Sequence, residues 1–229
     1  MENKIVVIIP AYNEEGSIAK VIQELPGNLV TEIIVVDNNS TDQTSDKAKQ
    51  AGTTVLFQEL KGYGNACLMG IEYLKKMKIP PFIVVFIDGD YSDYPEQLPI
   101  VINPIIDEDF DMVIGSRNLG VKAKGSMTPQ QVLGNKLATT LMKWLYKTNY
   151  TDLGPFRAIK YSSLLALNMK DKDYGWTVEM QLKAAKLKMK TCEVAVDYRK
   201  RIGVSKVSGT VRGTLGAGYK IITTIFRYI

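Results

Sequence analysis

A chain of 229 residues, 45% hydrophobic and 23% charged, can bury the core of one substantial α/β domain and is not a disordered or low-complexity sequence. It contains no histidine, which excludes Ser-His and Cys-His nucleophile systems and leaves any metal to carboxylates, carbonyls or substrate oxygens. The net charge of +5, with its excess in the last third, favours an anionic partner: a phosphate, a nucleic acid or an acidic membrane surface. Two distant cysteines, Cys67 and Cys192, form no ligand pair and suit a reducing, cytoplasmic setting. The start of the chain reads as too short and too acidic for a secretory signal.

Ile5 to Ile9 is a β-branched run expected to form a buried strand. The polar segment Pro10 to Gly16 follows it, and Ile18, Val21, Ile22 and Leu25 then mark a short amphipathic helix. A second strand, Ile33 to Val36, ends in Asp37-Asn38-Asn39-Ser40-Thr41-Asp42. Asp37 at that strand end is placed to reach a base or ribose, whereas Asp42 reads better as a helix cap. A third strand, Thr53 to Phe57, leads into Gly62-Tyr63-Gly64-Asn65-Ala66 and a helix through about Lys76. Gly62 and Gly64 allow close backbone approach to a phosphate at a helix start, although the third glycine of a dinucleotide fingerprint is out of register.

The most informative stretch is Phe82 to Pro95, where a continuous apolar strand stops at Asp88-Gly89-Asp90. Two carboxylates at the open end of a buried strand offer hard oxygen ligands for Mg²⁺ or Mn²⁺, and Gly89 lets the backbone approach a diphosphate. A polar turn is the plainer alternative. Beyond it come a helix from Pro95 to Ile106, a short strand Met112 to Ile114, and Arg117 at another strand end, a candidate partner for the diphosphate. Strands alternating with helices up to about residue 115 imply a mostly parallel sheet with right-handed crossovers.

The second half is less regular. Gly120 to Thr128 reads as a mobile loop, and Pro129 to Tyr146 as a long helix with an apolar face of Val132, Leu133, Leu137, Leu141, Trp144 and Leu145. A turn-rich segment, Thr151 to Arg157, precedes a helix entered at Tyr174 to Met180, in which Trp176 and Met180 read as core. Glu179 in that helix is either a first-turn carboxylate favoured by the dipole or a general base. Val194 to Tyr198 alternates like a strand and hands over to the basic, hydroxyl-bearing loop Arg199 to Lys206. Val211 to Ile229 is amphipathic and broken by charges, so it reads as a helix lying on a membrane surface or packed on the core, not as a span.

Taken together, the Val7-Ile8-Ile9-Pro10-Ala11-Tyr12-Asn13-Glu14-Glu15 stretch, Asp37 to Asp42, Gly62 to Ala66, Asp88-Gly89-Asp90, Gly115-Ser116-Arg117 and Arg201-x-Gly203-x-Ser205-Lys206 resemble a family 2 glycosyltransferase. Within that family the likeness is to the polyprenyl-phosphate enzymes of the dolichyl-phosphate mannose synthase type, and it covers nearly the whole chain. The resemblance implies a nucleotide-diphospho-sugar transferase (GT-A) fold, with a glycosyltransferase domain at 1–207 and an amphipathic helix at 208–229. The domain would have a nucleotide-binding half at 1–118 and an acceptor half at 119–207.

By the same resemblance, Pro10, Ala11, Tyr12, Glu14, Asp37 and Asn38, with Gly62, Gly64, Asp88 and Gly89, would hold a GDP- or UDP-sugar. Asp88 and Asp90 would bind the metal. Where relatives often carry a Gln after the Asp-x-Asp, Ser92-Asp93 stands here, so Asp93 or water would complete the metal shell. Arg117, Asp152, Arg157, Arg201, Ser205 and Lys206 would meet the diphosphate or an acceptor phosphate. Gly154-Pro155-Phe156-Arg157 departs from the more usual Ser-Gly-Phe-Arg, which leaves the acceptor open. An inverting, metal-dependent transfer to polyprenyl phosphate is the expected chemistry, with Asp90, Glu179 and Arg117 as catalytic candidates. A saccharide hydroxyl acceptor and a non-catalytic nucleotide-binding protein are the alternatives. The expected setting is cytoplasmic or peripheral on the cytosolic membrane face, with a membrane contact or membrane subunit and without nucleic acid.

Overall fold

A computed structural model describes residues 4–205 and 211–228. Lys206 lies outside them, so its expected phosphate contact has no structural counterpart here. The chain forms β1 (Ile5–Ala11), α1 (Ile18–Glu24), β2 (Glu32–Asp37), α2 (Thr44–Gln50), β3 (Thr54–Phe57), α3 (Tyr63–Lys75) and β4 (Ile83–Phe86). A 3-10 turn at Pro95–Gln97 then leads into α4 (Leu98–Glu108), β5 (Met112–Ser116) and α5 (Pro129–Tyr146). The last elements are β6 (Arg157–Lys160), α6 (Tyr161–Leu167), α7 (Trp176–Lys186), β7 (Thr191–Ala195) and α8 (Val211–Arg227).

The strands make a seven-stranded sheet in the order β3-β2-β1-β4-β6-β5-β7. It is parallel except at β6, which runs antiparallel to both β4 and β5. Side chains alternate across β1: Ile5, Val7 and Ile9 face the layer of α1 and α4, while Val6 and Ile8 face α3, α6 and α7. Both faces are therefore buried, which is why the strands are continuous β-branched runs. Trp176 belongs to the second layer, edge-on to Phe86 with ring centroids 5.9 Å apart.

Register brings the functional segments to one edge. Ala11 pairs with Asp37, Ile8 with Phe86, and Ser116 with Ala195, so β1, β2, β4, β5 and β7 all end on the same side of the sheet. The antiparallel β6 starts there, with Arg157 opposite both Phe86 and Ile114, so residues 152–156 arrive at that edge as well. The sheet is continuous across the two halves of the chain.

Three expectations change. Arg157, read as the end of a turn-rich segment from Thr151, instead begins a strand, β6, that the sequence reading did not include. The strand expected at Val194 to Tyr198 lies three residues earlier, at β7. The Gly120 to Thr128 segment is stitched to the chain after β7: Val121 N–H donates to Asp197 Oδ1 at 2.8 Å, and Ala123 N–H to the Tyr198 carbonyl at 2.8 Å.

α5 also departs from its reading. It begins with a capping box between Thr128 and Gln131 and with Pro129 in its first turn, as a strong helix start should. Its buried residues, however, are Asn135, Ala138, Thr139 and Met142, and the expected single apolar face is split: Leu141 and Leu145 pack partly buried against the core, whereas Val132, Leu133, Leu137 and Trp144 are exposed. α8 packs one face on α5 and α7, with Ile225 buried, the Tyr146 hydroxyl donating to the Ile225 carbonyl at 2.5 Å, and Lys220 paired with Asp171 at 3.1 Å. Among the described residues no helix is long and apolar enough to cross a membrane.

Candidate active site

Two adjoining cavities open at the carboxyl edge of the sheet. The first, about 380 Å³, is walled by Pro10, Ala11, Tyr12 and Glu14 after β1, by Asn38 after β2, by Lys61, Gly62 and Tyr63 at the start of α3, and by Asp88, Gly89 and Asp90 after β4. Asp173, Tyr174 and Arg201 complete it. The second, about 320 Å³, has walls that include Met127, Leu153, Pro155, Ala217, Gly218 and Ile221, with Arg117 and Ser205 among its polar groups. Tyr63, Asp88, Asp90, Tyr174 and Arg201 line both, so the two carboxylates stand where the cavities meet.

Local structure explains this convergence. Asn38 holds the α3 entry in place: its Oδ1 accepts from Gly62 N–H at 2.7 Å, and its Nδ2 donates to the carbonyls of Gln58 and Leu60. Gly62 has φ +138, and a Cβ there would come within 2.2 Å of the Lys172 carbonyl, so only glycine fits. The turn after β4 is closed by Asp90, whose Oδ1 accepts from Ser92 N–H at 2.9 Å and Ser92 Oγ at 2.5 Å. The 199–202 segment is bonded onto that turn, with Ile202 N–H donating to the Asp90 carbonyl at 3.0 Å. This places Arg201 across the site, 2.9 Å from Glu14 Oε1 and 3.1 Å from Asp90 Oδ2.

Burial and mutual charge set the state of the carboxylates. Asp88 Oδ1 is buried without a hydrogen-bond partner, and burial, reinforced by the charge of Asp90, pushes its pKa up to about 7. Asp93 is also buried with both oxygens unpartnered, and burial followed by the charges of Asp88 and Asp90 raises it well above the usual range. It lines neither cavity, so it backs the site and is not placed as a direct metal ligand. Among the described residues no three His, Cys, Asp or Glu side chains converge. Asp88, with an unpartnered oxygen, and Asp90, whose Oδ2 is paired with Arg201, are the carboxylates at the cavity junction that could hold a hard divalent ion such as Mg²⁺ or Mn²⁺, the remaining ligands coming from substrate phosphates and water.

Several expected site residues lie elsewhere. Asp37 lines neither cavity; its Oδ1 accepts from Ser40 N–H at 3.0 Å and shapes the loop that presents Asn38. Gly64 packs against the backbone of Asp171 and Lys172, which a Cβ would strike at 2.1 Å. Asp152 is fully buried and grips Arg117, accepting from its backbone N–H at 2.8 Å, Nε at 2.8 Å and Nη2 at 2.7 Å. Burial would raise the Asp152 pKa, but the Arg117 charge and hydrogen bonds outweigh it and hold it low. Arg117 itself does reach the second cavity, with its guanidinium 5.0 Å from the Tyr198 ring. Arg157 is buried and donates to the carbonyls of Gly154 and Thr177.

Glu179 is not placed to act as a base. It is fully buried in the first turn of α7 and lines neither cavity. Its carboxylate accepts from Lys170 and Asp171 N–H and from the Tyr228 hydroxyl, and pairs with Lys183 at 2.7 Å. Burial pushes its pKa up, but the bonds from Lys183, Tyr228 and the backbone prevail and leave it lowered. It holds the 170–173 loop, and that loop carries Asp173 and Tyr174 into the first cavity. Those two residues, with Lys61, were not foreseen as cavity walls. Lys61 stands over the Tyr12 ring at 4.6 Å and donates to its hydroxyl at 2.8 Å, a pairing across forty-nine positions that no local pattern announces.

The family model for glycosyl transferase family 2 matches residues 6–167, most of the chain and the site segments from Pro10 to Arg157. The chain belongs to that family and is a glycosyltransferase. An uncharacterized glycosyltransferase of Mycobacterium tuberculosis (strain ATCC 25618 / H37Rv) is 31% identical over 216 residues, covering 92% of this chain and 93% of the relative. The undecaprenyl-phosphate mannosyltransferase of Micrococcus luteus is 30% identical over 224 residues, covering 92% and 90%. Among solved structures, glucosyl-3-phosphoglycerate synthase from Mycobacterium tuberculosis superposes with a TM-score of 0.78 at 22% identity, over 99% of this chain and 80% of that one. That structure holds Mn²⁺, UDP and glucosyl-3-phosphoglycerate. The likeness confirms the GT-A fold of the glycosyltransferase.

Proposed function

We propose that this glycosyltransferase moves a sugar from a UDP-sugar to a polyprenyl phosphate, with inversion at the anomeric carbon and with Mn²⁺ or Mg²⁺ held by Asp88 and Asp90. The observation that carries the reading is the pair of cavities meeting at those carboxylates: one walled by the loops after β1, β2 and β4, the other with Met127, Leu153, Pro155 and Ile221 in its walls and Arg117 and Ser205 among its polar groups. A diphosphate suits the first, beside Gly62, Gly89 and Arg201. A hydrocarbon chain ending in a phosphate suits the second, because Met127, Leu153, Pro155 and Ile221 offer apolar surface while Arg117 and Ser205 are among its polar groups.

The chemistry follows from charge. Bond cleavage at sugar C1 builds negative charge on the departing diphosphate oxygen, and a bound divalent ion supplies Lewis-acid stabilisation of it. Arg201, bridging Glu14 and Asp90, is a cation of this chain placed beside those carboxylates. An acceptor phosphate is already ionised at neutral pH, so attack from the second cavity needs no general base, consistent with Glu179 lining neither cavity. The relative that uses undecaprenyl phosphate supports this acceptor class by its name. UDP is the donor nucleotide in the complexes of the structurally similar synthase.

Incubating the protein with UDP-sugars and Mn²⁺, and offering either undecaprenyl phosphate or 3-phosphoglycerate, tests the assignment. Label recovered in the lipid extract supports it. Transfer to phosphoglycerate with none to the lipid phosphate would replace it with a soluble-acceptor reading.

A further inference from the structure

We infer that the outward face of α5 is a docking surface for an anionic lipid bilayer. Four of the six apolar residues that the sequence marks on this helix are solvent-exposed: Leu133 is 70% exposed and Trp144 81%, with Val132 and Leu137 also open. Spacings of four and seven residues align Leu133, Leu137 and Trp144 in one stripe. Lys136, Lys143 and Lys147, all exposed, form the neighbouring row. Leu119 and Val121, with Lys122 and Lys124, extend the same character into the preceding loop. Across residues 112–151 the sequence contains no Asp or Glu, so no carboxylate within the segment neutralises these lysines.

Charge and shape decide the occupant. A two-fold contact between copies of this chain would set each copy's lysine row against an identical patch, which like-charge repulsion opposes. A nucleic acid would meet the lysines but leave Leu133 and Trp144 against a hydrated backbone. An acidic membrane surface satisfies both rows at once: the leucines and the indole enter the headgroup boundary while the lysine heads reach lipid phosphates. The apolar cavity supports the same orientation, because Gly134, exposed on α5, also lines it, so that cavity opens along this helix. The inference takes its meaning from the proposed lipid-borne acceptor, but the binding it asserts stands apart from the reaction.

The test uses the full chain with vesicles of phosphatidylcholine alone and of phosphatidylcholine mixed with phosphatidylglycerol, containing neither donor nor acceptor. The chain has two tryptophans, and Trp176 is buried beside Phe86, so a change in emission reports on Trp144. The mixed vesicles should carry the protein in flotation and shift its emission to the blue, and added salt should weaken both effects. Lys136→Gln, Lys143→Gln and Lys147→Gln should each lower partitioning about fivefold. Leu133→Gln with Leu137→Gln should abolish it while far-UV circular dichroism stays unchanged. Absence of flotation, flotation that these variants leave intact, or a dimer in sedimentation equilibrium that Leu133→Gln dissociates without any vesicle binding would each overturn the inference. Any of those results would leave the transfer assay, run with detergent-dispersed acceptor, to decide the reaction by itself.

Discussion

Replacing Glu179 by Gln separates a supporting carboxylate from a catalytic one. The side chain is fully buried and accepts from Lys170 N–H at 3.0 Å, Asp171 N–H at 2.7 Å and the Tyr228 hydroxyl at 2.6 Å, with Lys183 at 2.7 Å. Glutamine keeps one acceptor oxygen but turns an NH₂ group against donors. Hydrogen bonds to a charged group are worth about 1.5–3 kcal/mol, so losing one or two costs roughly 3 kcal/mol. For a chain of this size that corresponds to a fall in Tm of about 6–12 °C in a thermal melt. Because the carboxyl is held below its usual 4.5, its contribution is present above that value and is lost as pH falls, so the gap between wild type and variant should close in acid. In steady-state transfer the donor KM should rise as Asp173 and Tyr174 loosen, and the pH–rate profile should keep its limbs. An unchanged Tm together with a kcat loss of about 10²–10⁴ and a missing limb would restore Glu179 as a general base and refute this reasoning.

Asp152→Ala leaves Arg117 as a buried cation without its partner, which should cost about 3–5 kcal/mol in denaturant unfolding. A loss of stability well below 1 kcal/mol would mean that the pair contributes little. Asp88, with its pKa pushed up from 3.8 to about 7, favours the folded state fully below 3.8, and that contribution is lost as pH rises through 7. Comparing metal-free wild type with Asp88→Asn should therefore show the variant gaining relative stability between pH 4 and pH 7. Loading of Mn²⁺ and UDP should weaken about tenfold for each pH unit below 7, because the ion requires the ionised carboxylate.

The sheet and its carboxyl edge were legible because they rest on local signals: β-branched runs long enough for strands buried on both faces, and Asp88-Gly89-Asp90 standing at the end of one. β6 was hidden because four residues, Arg-Ala-Ile-Lys, show no period, and because insertion between β4 and β5 is a long-range decision. The α5 stripe shows the limit of periodicity, which finds the apolar side of a helix without saying what that side faces. Asp173 and Tyr174 reach the cavity only because Glu179 and Asp171 fold their loop against the start of α3. Nothing in the loop's own composition marks it. Asp152 and Arg157 were placed near the right edge by their segment, but burial gives them protein partners instead of a ligand.

The account turns on whether Asp88 and Asp90 grip a diphosphate through a cation, and calorimetric titration of UDP with and without Mn²⁺ addresses that directly. Mn²⁺ should tighten UDP binding at least about tenfold in the wild type, equivalent to about 1.4 kcal/mol, and the enhancement should vanish in Asp90→Ala. UDP affinity indifferent to Mn²⁺, or an Asp90→Ala protein that binds the pair as the wild type does, would contradict it.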